Sequence, residues 1–128
     1  MANYYNVSIN IGGVISAEWN DVEIVNYQHQ DNAGSALPST VIVPRYTILV
    51  YDTTLSKYVV ARTSLNINEN SNIVITGEEL SSSDTNATVF TKAIVNSKYL
   101  KVWDNTTQSF VAPTNINLSL HPRFKDIR

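Results

Sequence analysis

Residues 46–62 read YTILVYDTTLSKYVVAR. Two runs of Val, Ile, Leu and Tyr flank a hydrophilic centre. Side chains branched at Cβ, or aromatic, pack well on a pleated surface and are favoured in strands. Residues 46–51 therefore read as one strand and residues 58–62 as its partner. Between them, DTTLSK carries Asp, Thr and Ser side chains that hydrogen-bond their own backbone and support turns. The stretch predicts a β-hairpin. Pro44 lacks an N–H, which places it at the strand entrance or on an edge.

The same chemistry extends outward. Val and Ile outnumber Leu and Ala, and Tyr and Thr are frequent. No long stretch has the i, i+3, i+4, i+7 spacing of an amphipathic helix. VEIVNY (22–27) is an apolar segment, and QHQDNAGSALPST (28–40) reads as a polar loop, the longest in the chain. IVITG (73–77) is a short strand closed by Gly. ATVFTKAIV (87–95) is another strand, followed by NSKYLKVWD. In INLSL, Ile116, Leu118 and Leu120 share a face. HPRFKDIR is a basic, partly apolar tail. The pass yields no internal repeat. The expected fold is mainly β: a small single domain with hairpins and at most one or two short helical turns.

Near the N-terminus, Tyr5, Val7, Ile9 and Ile11 alternate with Asn6, Ser8 and Asn10, ahead of Gly12 and Gly13. This pattern is a half-buried strand ended or bent by glycine. Residues 1–13 are expected to form an N-terminal strand or arm, and residues 14–128 a single β-rich domain. An alternating strand at a chain end suits β-augmentation: its backbone hydrogen-bonds a partner and its alternate side chains fill pockets. Tyr5, Val7, Ile9 and Ile11 are thus the candidate partner-binding residues. An ordinary first strand of the domain's own sheet is the competing reading.

The totals narrow the function. The 128 residues suit one domain, and 43% are hydrophobic. Only 16% are charged, against roughly 25% in an average domain. Net charge is -2, and the nine Lys and Arg are scattered. Phosphate neutralisation needs a concentrated basic face, so neither nucleic acid nor an anionic membrane is an expected partner. Cysteine is absent, which removes disulfides, thiolate metal sites and thiol nucleophiles. The first residues lack a signal peptide's basic start and apolar run, so synthesis and folding in the cytoplasm are expected.

No pattern carries catalysis. Glu78 and Glu79 are adjacent and would diverge on a strand, whereas paired catalytic carboxylates come from separated elements. Ser81, Ser82 and Ser83 need a base within reach, and neither His29 nor His121 lies in a recognisable motif. His29 and Asp31 are two ligands, too few to close a metal site. Asp52, Asp84 and Asp104 lack calcium-loop spacing. Gly12 and Gly13 are followed by no phosphate-binding pattern. The sequence predicts no enzyme, no cofactor and no metal site. Trp19, Trp103 and the tyrosines offer stacking surface for a sugar, or simply core packing.

Three segments in order carry a resemblance. They are YTILVYDTTLSKYVV, then NIVITGEEL, then SSSDTNATVFTKAIVNSKYL with Val95, Asn96 and Leu100. Strand, short turn, Lys-aromatic-Val, acidic turn, polar spacer, Thr-Val strand and VN follow one another. This order resembles the lambda-type head-decoration proteins of tailed phages over about half the chain, from Val41 to Val102. Tyr46 stands where the family has a small residue, and Lys92 or Ala93 where it has Gly. Residues 1–40 and the tail after Phe110 have no counterpart, so no contact residue carries over individually. The resemblance implies a non-enzymatic virion protein on the capsid exterior. It would bind the major capsid protein, often as a trimer, and stabilise the particle. The alternatives are another phage structural subunit (tail, baseplate or fibre) or a carbohydrate-binding β domain.

Overall fold

A computed structural model describes residues 21–65, 72–114 and 120–126. Tyr5, Val7, Ile9, Ile11, Gly12, Gly13 and Trp19 lie outside the described residues, as do residues 66–71 and 116–119. Eight strands follow: β1 (Asp21–Asp31), β2 (Ile48–Asp52), β3 (Lys57–Val60), β4 (Ile73–Thr76), β5 (Asn86–Val95), β6 (Val102–Asp104), β7 (Ser109–Val111) and β8 (Phe124–Asp126). A 3-10 turn at Ser97–Tyr99 is capped by the Asn96 side chain, which accepts from the Lys98 N–H. Among the described residues the domain is mainly β, as its composition predicts.

Strands β1-β3-β2-β4-β5 are hydrogen-bonded in that order, and β5 pairs again with β1. The sheet therefore closes into a five-stranded barrel. Closure removes most of the exposed edge that an open sheet presents. The β2–β3 pairing is the hairpin read from residues 46–62, with Leu49 opposite Val60 and Tyr51 opposite Tyr58. Strand β1 runs parallel to β3 and antiparallel to β5. Strand β8 extends the sheet beside Ala93, Ile94 and Val95.

Alternation along the strands produces two apolar layers. Tyr27, Leu49, Val60, Val74 and Val89 form one cluster that takes a residue from each barrel strand, so it fills the interior. Leu37, Val43, Leu80 and Trp103 join this cluster from outside the barrel strands and plug it. The other layer, with Ile48, Val50, Val59, Ile73, Ile75 and Phe90, lies on the outer face of β2 to β5. Leu100, Val102 and Phe124 cover it. Burial at roughly 25 cal/mol per Å² of apolar surface makes these two layers the main stabilising term.

Three local features depart from the sequence reading. First, β1 continues through Gln28–His29–Gln30–Asp31, a stretch expected to be loop. The polar residues alternate, with His29 and Asp31 buried. Their backbone finds partners on two sides: Asp31 is paired with Val60, and the Leu37 N–H donates to the His29 carbonyl. Second, the strand expected from Tyr46 begins at Ile48. Tyr46 has φ 67, left-handed backbone that no strand residue adopts. The Thr47 hydroxyl meanwhile bonds back to the Pro44 carbonyl. Third, β5 changes face partway. Val22 pairs with Phe90 and Asp21 with Lys92, leaving Thr91 as an extra residue. Such a bulge shifts the side-chain parity. Ala87 and Val89 point into the barrel, while Phe90, Ala93 and Val95 belong to the outer layer.

A repeat is also present where none was read. YDTTLSKYV (51–59) and WDNTTQSFV (103–111) share aromatic, Asp, Thr, aromatic and Val at matching positions. Both are antiparallel hairpins, β2–β3 and β6–β7. Asp52 Oδ1 accepts from the N–H groups of Thr54 and Leu55, and Asp104 Oδ1 from those of Thr106 and Thr107. Ser56 and Gln108 take the same left-handed backbone, φ 56 and φ 55. Only five of nine positions agree in type, and the agreement is visible once the turn geometry is known.

Candidate functional site

Residues 77–84 form a structural turn. Glu78 and Glu79 are exposed. Glu78 Oε2 accepts the Thr88 N–H at 3.0 Å, a bond between the turn and β5. Asp84 Oδ2 accepts the Ser81 N–H at 2.7 Å, and the Ser81 hydroxyl lies 3.3 Å from the same carboxylate. Ser81 and Ser83 hydroxyls meet at 2.9 Å. The hydroxyl run is thus engaged in closing the turn, and Ser81 is bonded to a carboxylate rather than to an imidazole.

His29 and His121 are both buried. His29 Nδ1 meets the Tyr27 hydroxyl at 2.7 Å inside the barrel. Burial lowers the pKa of His29, opposed by the Pro38 and Val41 carbonyls and by Asp84. Burial lowers that of His121 too, aided by Arg123. Asp31 is fully buried; its Oδ1 accepts from Ala33 and Ser35, and its Oδ2 lies 3.7 Å from Arg62 Nε. Among the described residues, no three His, Asp or Glu side chains are placed to hold a metal ion. His29 and Asp31, neighbours on one face of β1, are absorbed into the barrel interior and the turn that follows it.

Trp103 does not present a sugar platform. It is 1% exposed, packs on Phe110 with ring centroids 5.0 Å apart, and its indole N–H has no acceptor. A stacking surface must be open to the ligand, so this residue leaves the carbohydrate reading. Tyr51 and Tyr99 remain exposed.

The surface feature that stands out is on the first half of β1. Val22 and Ile24 are 46% and 73% exposed. They pair with Phe90 and Thr88, so they lie on the barrel's outer face, in continuation of the outer apolar layer. Among the described residues, that layer is covered over β2 to β5 and left open over β1. One edge of residues 21–26 is taken by β5, and β3 joins the other edge only from Tyr27 onward. Among the described residues, no strand occupies the other edge of residues 21–26. An apolar strip beside a strand edge that no described strand takes is a surface for protein contact, able to accept an added strand. The sequence marks VEIVNY as apolar; its exposure follows only from closure of the barrel.

No family model matches the sequence, and neither does any curated protein.

Proposed function

We propose that the chain is a non-enzymatic structural subunit of a virion, decorating the capsid exterior and stabilising it by binding the major capsid protein. The observation that carries this reading is the strip at Val22 and Ile24, an apolar surface beside a strand edge that no described strand occupies. Such a surface favours a macromolecular partner over a small substrate. It lies C-terminal to the segment that holds Tyr5, Val7, Ile9 and Ile11, with residues 14–21 between them. Further support comes from the three segments that resemble decoration proteins. They fall on consecutive barrel elements: the β2–β3 hairpin, β4 with its acidic turn, and β5 with the 3-10 turn. A trimer on the particle is the expected assembly.

The test mixes purified protein with expanded capsids built from the major capsid protein of the virus that encodes it. Binding, a raised capsid melting temperature and density on the capsid exterior by electron microscopy are expected. No binding at saturating concentration removes the proposal, and density in the tail or baseplate replaces it with the alternative virion role. Deleting residues 2–11 is expected to leave a folded domain that no longer binds capsids. Ile24→Asp, at an exposed position, should change stability by within about 0.5 kcal/mol while weakening capsid binding.

A further inference from the structure

Residues 32–41 form a strap that returns from the end of β1 and plugs the barrel. The Asp31 N–H donates to the Ser35 carbonyl and the Leu37 N–H to the His29 carbonyl. Gln30 and Ala36 make an antiparallel bridge. Leu37 is buried in the interior cluster beside Tyr27, Val43 and Leu80. Beneath the strap lies the His29 imidazole. Its Nδ1 is 2.7 Å from the Tyr27 hydroxyl, and its Nε2 is buried without a well-aligned hydrogen bond. The Pro38 and Val41 carbonyls of the strap act on the ring as acceptors and favour its charged form.

We propose that His29 is an acid-sensitive latch: in its neutral form it seats the strap on the barrel, and protonation of its buried ring releases residues 32–41.

The chemistry follows from the two ring nitrogens. Burial, and then Asp84, raise the Tyr27 pKa, so the phenol keeps its proton. With the strap carbonyls facing the ring, the neutral imidazole carries its hydrogen on Nε2 and accepts from Tyr27 at Nδ1. Protonation makes both nitrogens donors, so the Tyr27 bond is lost as it stands. It also leaves a cation in an apolar enclosure, which is costly unless paired. Asp84 is the charged group that faces His29 from the β4–β5 turn. Asp31, on the same strand, is committed to the strap amides and to Arg62. The carbonyls and Asp84 favour the cation, but burial outweighs them. The sign is then set. The folded protein resists the proton that the unfolded chain accepts near pH 6.5, so the closed state is stable above that pH and weakens below it. Lifting the strap breaks the Gln30–Ala36 bridge and the Asn32 bonds to Val60 and Arg62 but leaves the pairings among the barrel strands closed, which makes local opening the lower-cost route.

The test follows amide hydrogen exchange from pH 7.5 to 5, corrected for intrinsic rates, with the His29 ring titration read by NMR. Protection at Asp31 and Leu37 should fall as the pH drops below about 6.5, by up to about tenfold per pH unit for one proton, and level off once the ring of the closed state is protonated. Protection at Ala61, whose N–H donates to the Ile48 carbonyl, should stay well above that at Asp31 and Leu37 at every pH, since the strap opens alone. His29→Gln should abolish the pH dependence at Leu37, and His121→Gln should leave it intact. Tyr27→Phe removes the bond that favours the neutral ring, so the midpoint should move to higher pH. An unchanged pH profile at Leu37 in His29→Gln overturns the latch, as does equal protection at Leu37 and Ala61, which would mean that the strap opens only with the whole barrel. Should His29→Gln fail to fold, an unshifted midpoint in Tyr27→Phe decides against it.

Discussion

The two hairpins are built alike and end differently. In each, an Asp carboxylate accepts two turn N–H groups, a left-handed residue closes the turn, and an aromatic pair crosses between the strands. The first is part of the barrel wall, and its Tyr51 is 40% exposed. The second lies outside the barrel sheet, yet its Trp103 is buried and reaches the interior cluster. Isolated bridges join Arg62 with Trp103 and Thr47 with Lys101, stitching β6 to the barrel. Local turn chemistry therefore sets the shape of a hairpin. Where the chain docks it decides which aromatic bears the load of the core.

The largest expected contrast separates those aromatics. Trp103→Ala should cost about 3–5 kcal/mol, as for large buried side chains. Tyr51→Ala should cost less than about 1 kcal/mol, because much of that ring already faces water. Chemical denaturation of the two variants checks this, and equal losses would break the comparison. Trp103→Phe sharpens it: the variant discards an indole N–H that has no acceptor, so it should cost clearly less than Trp103→Ala.

A smaller effect tests the shared turn. Asp52→Ala and Asp104→Ala each remove an acceptor used by two exposed backbone donors, and each should cost about 0.5–1.5 kcal/mol. A marked inequality would show that one turn depends on its surroundings. Smallest are Ser56→Gly and Gln108→Gly. A residue with Cβ in left-handed backbone is strained by roughly 1 kcal/mol, and glycine relieves this. Both changes should leave the melting temperature equal or slightly raised. A fall at either position would mean that the native side chain contributes a contact worth more than the strain.

These features differ in how legibly the chain states them. The first hairpin can be read in advance because alternation and an Asp-led turn coincide within 17 residues. Its second copy escapes because Thr107, Gln108 and Ser109 replace Leu55, Ser56 and Lys57, and the apolar flanks are short. The segment 28–31 reads as loop because QHQD has no apolar residue, yet neighbours on both sides supply its backbone partners. The bulge at Thr91 is hard to read because ATVFTKAIV places apolar residues side by side at Val89–Phe90 and Ala93–Val95, so no single alternation can be followed. Of the candidate surface, the apolar character of Val22 and Ile24 is plain in the sequence. Their exposure is not, since VEIVNY resembles any core strand until its cover is known.

Composition and local pattern by themselves determined the mainly β class, the hairpin within residues 46–62, strands read at 73–77 and 87–95, and a turn between those two strands. These depend on φ/ψ preference, side-chain period and turn hydrogen bonds, all set within a few residues. Only the tertiary structure decided that β1 pairs with both β3 and β5, that Trp103 is buried while Ile24 is open, and that His29 sits beneath a strap. Each depends on which distant segments meet, and no window of neighbouring residues contains that information.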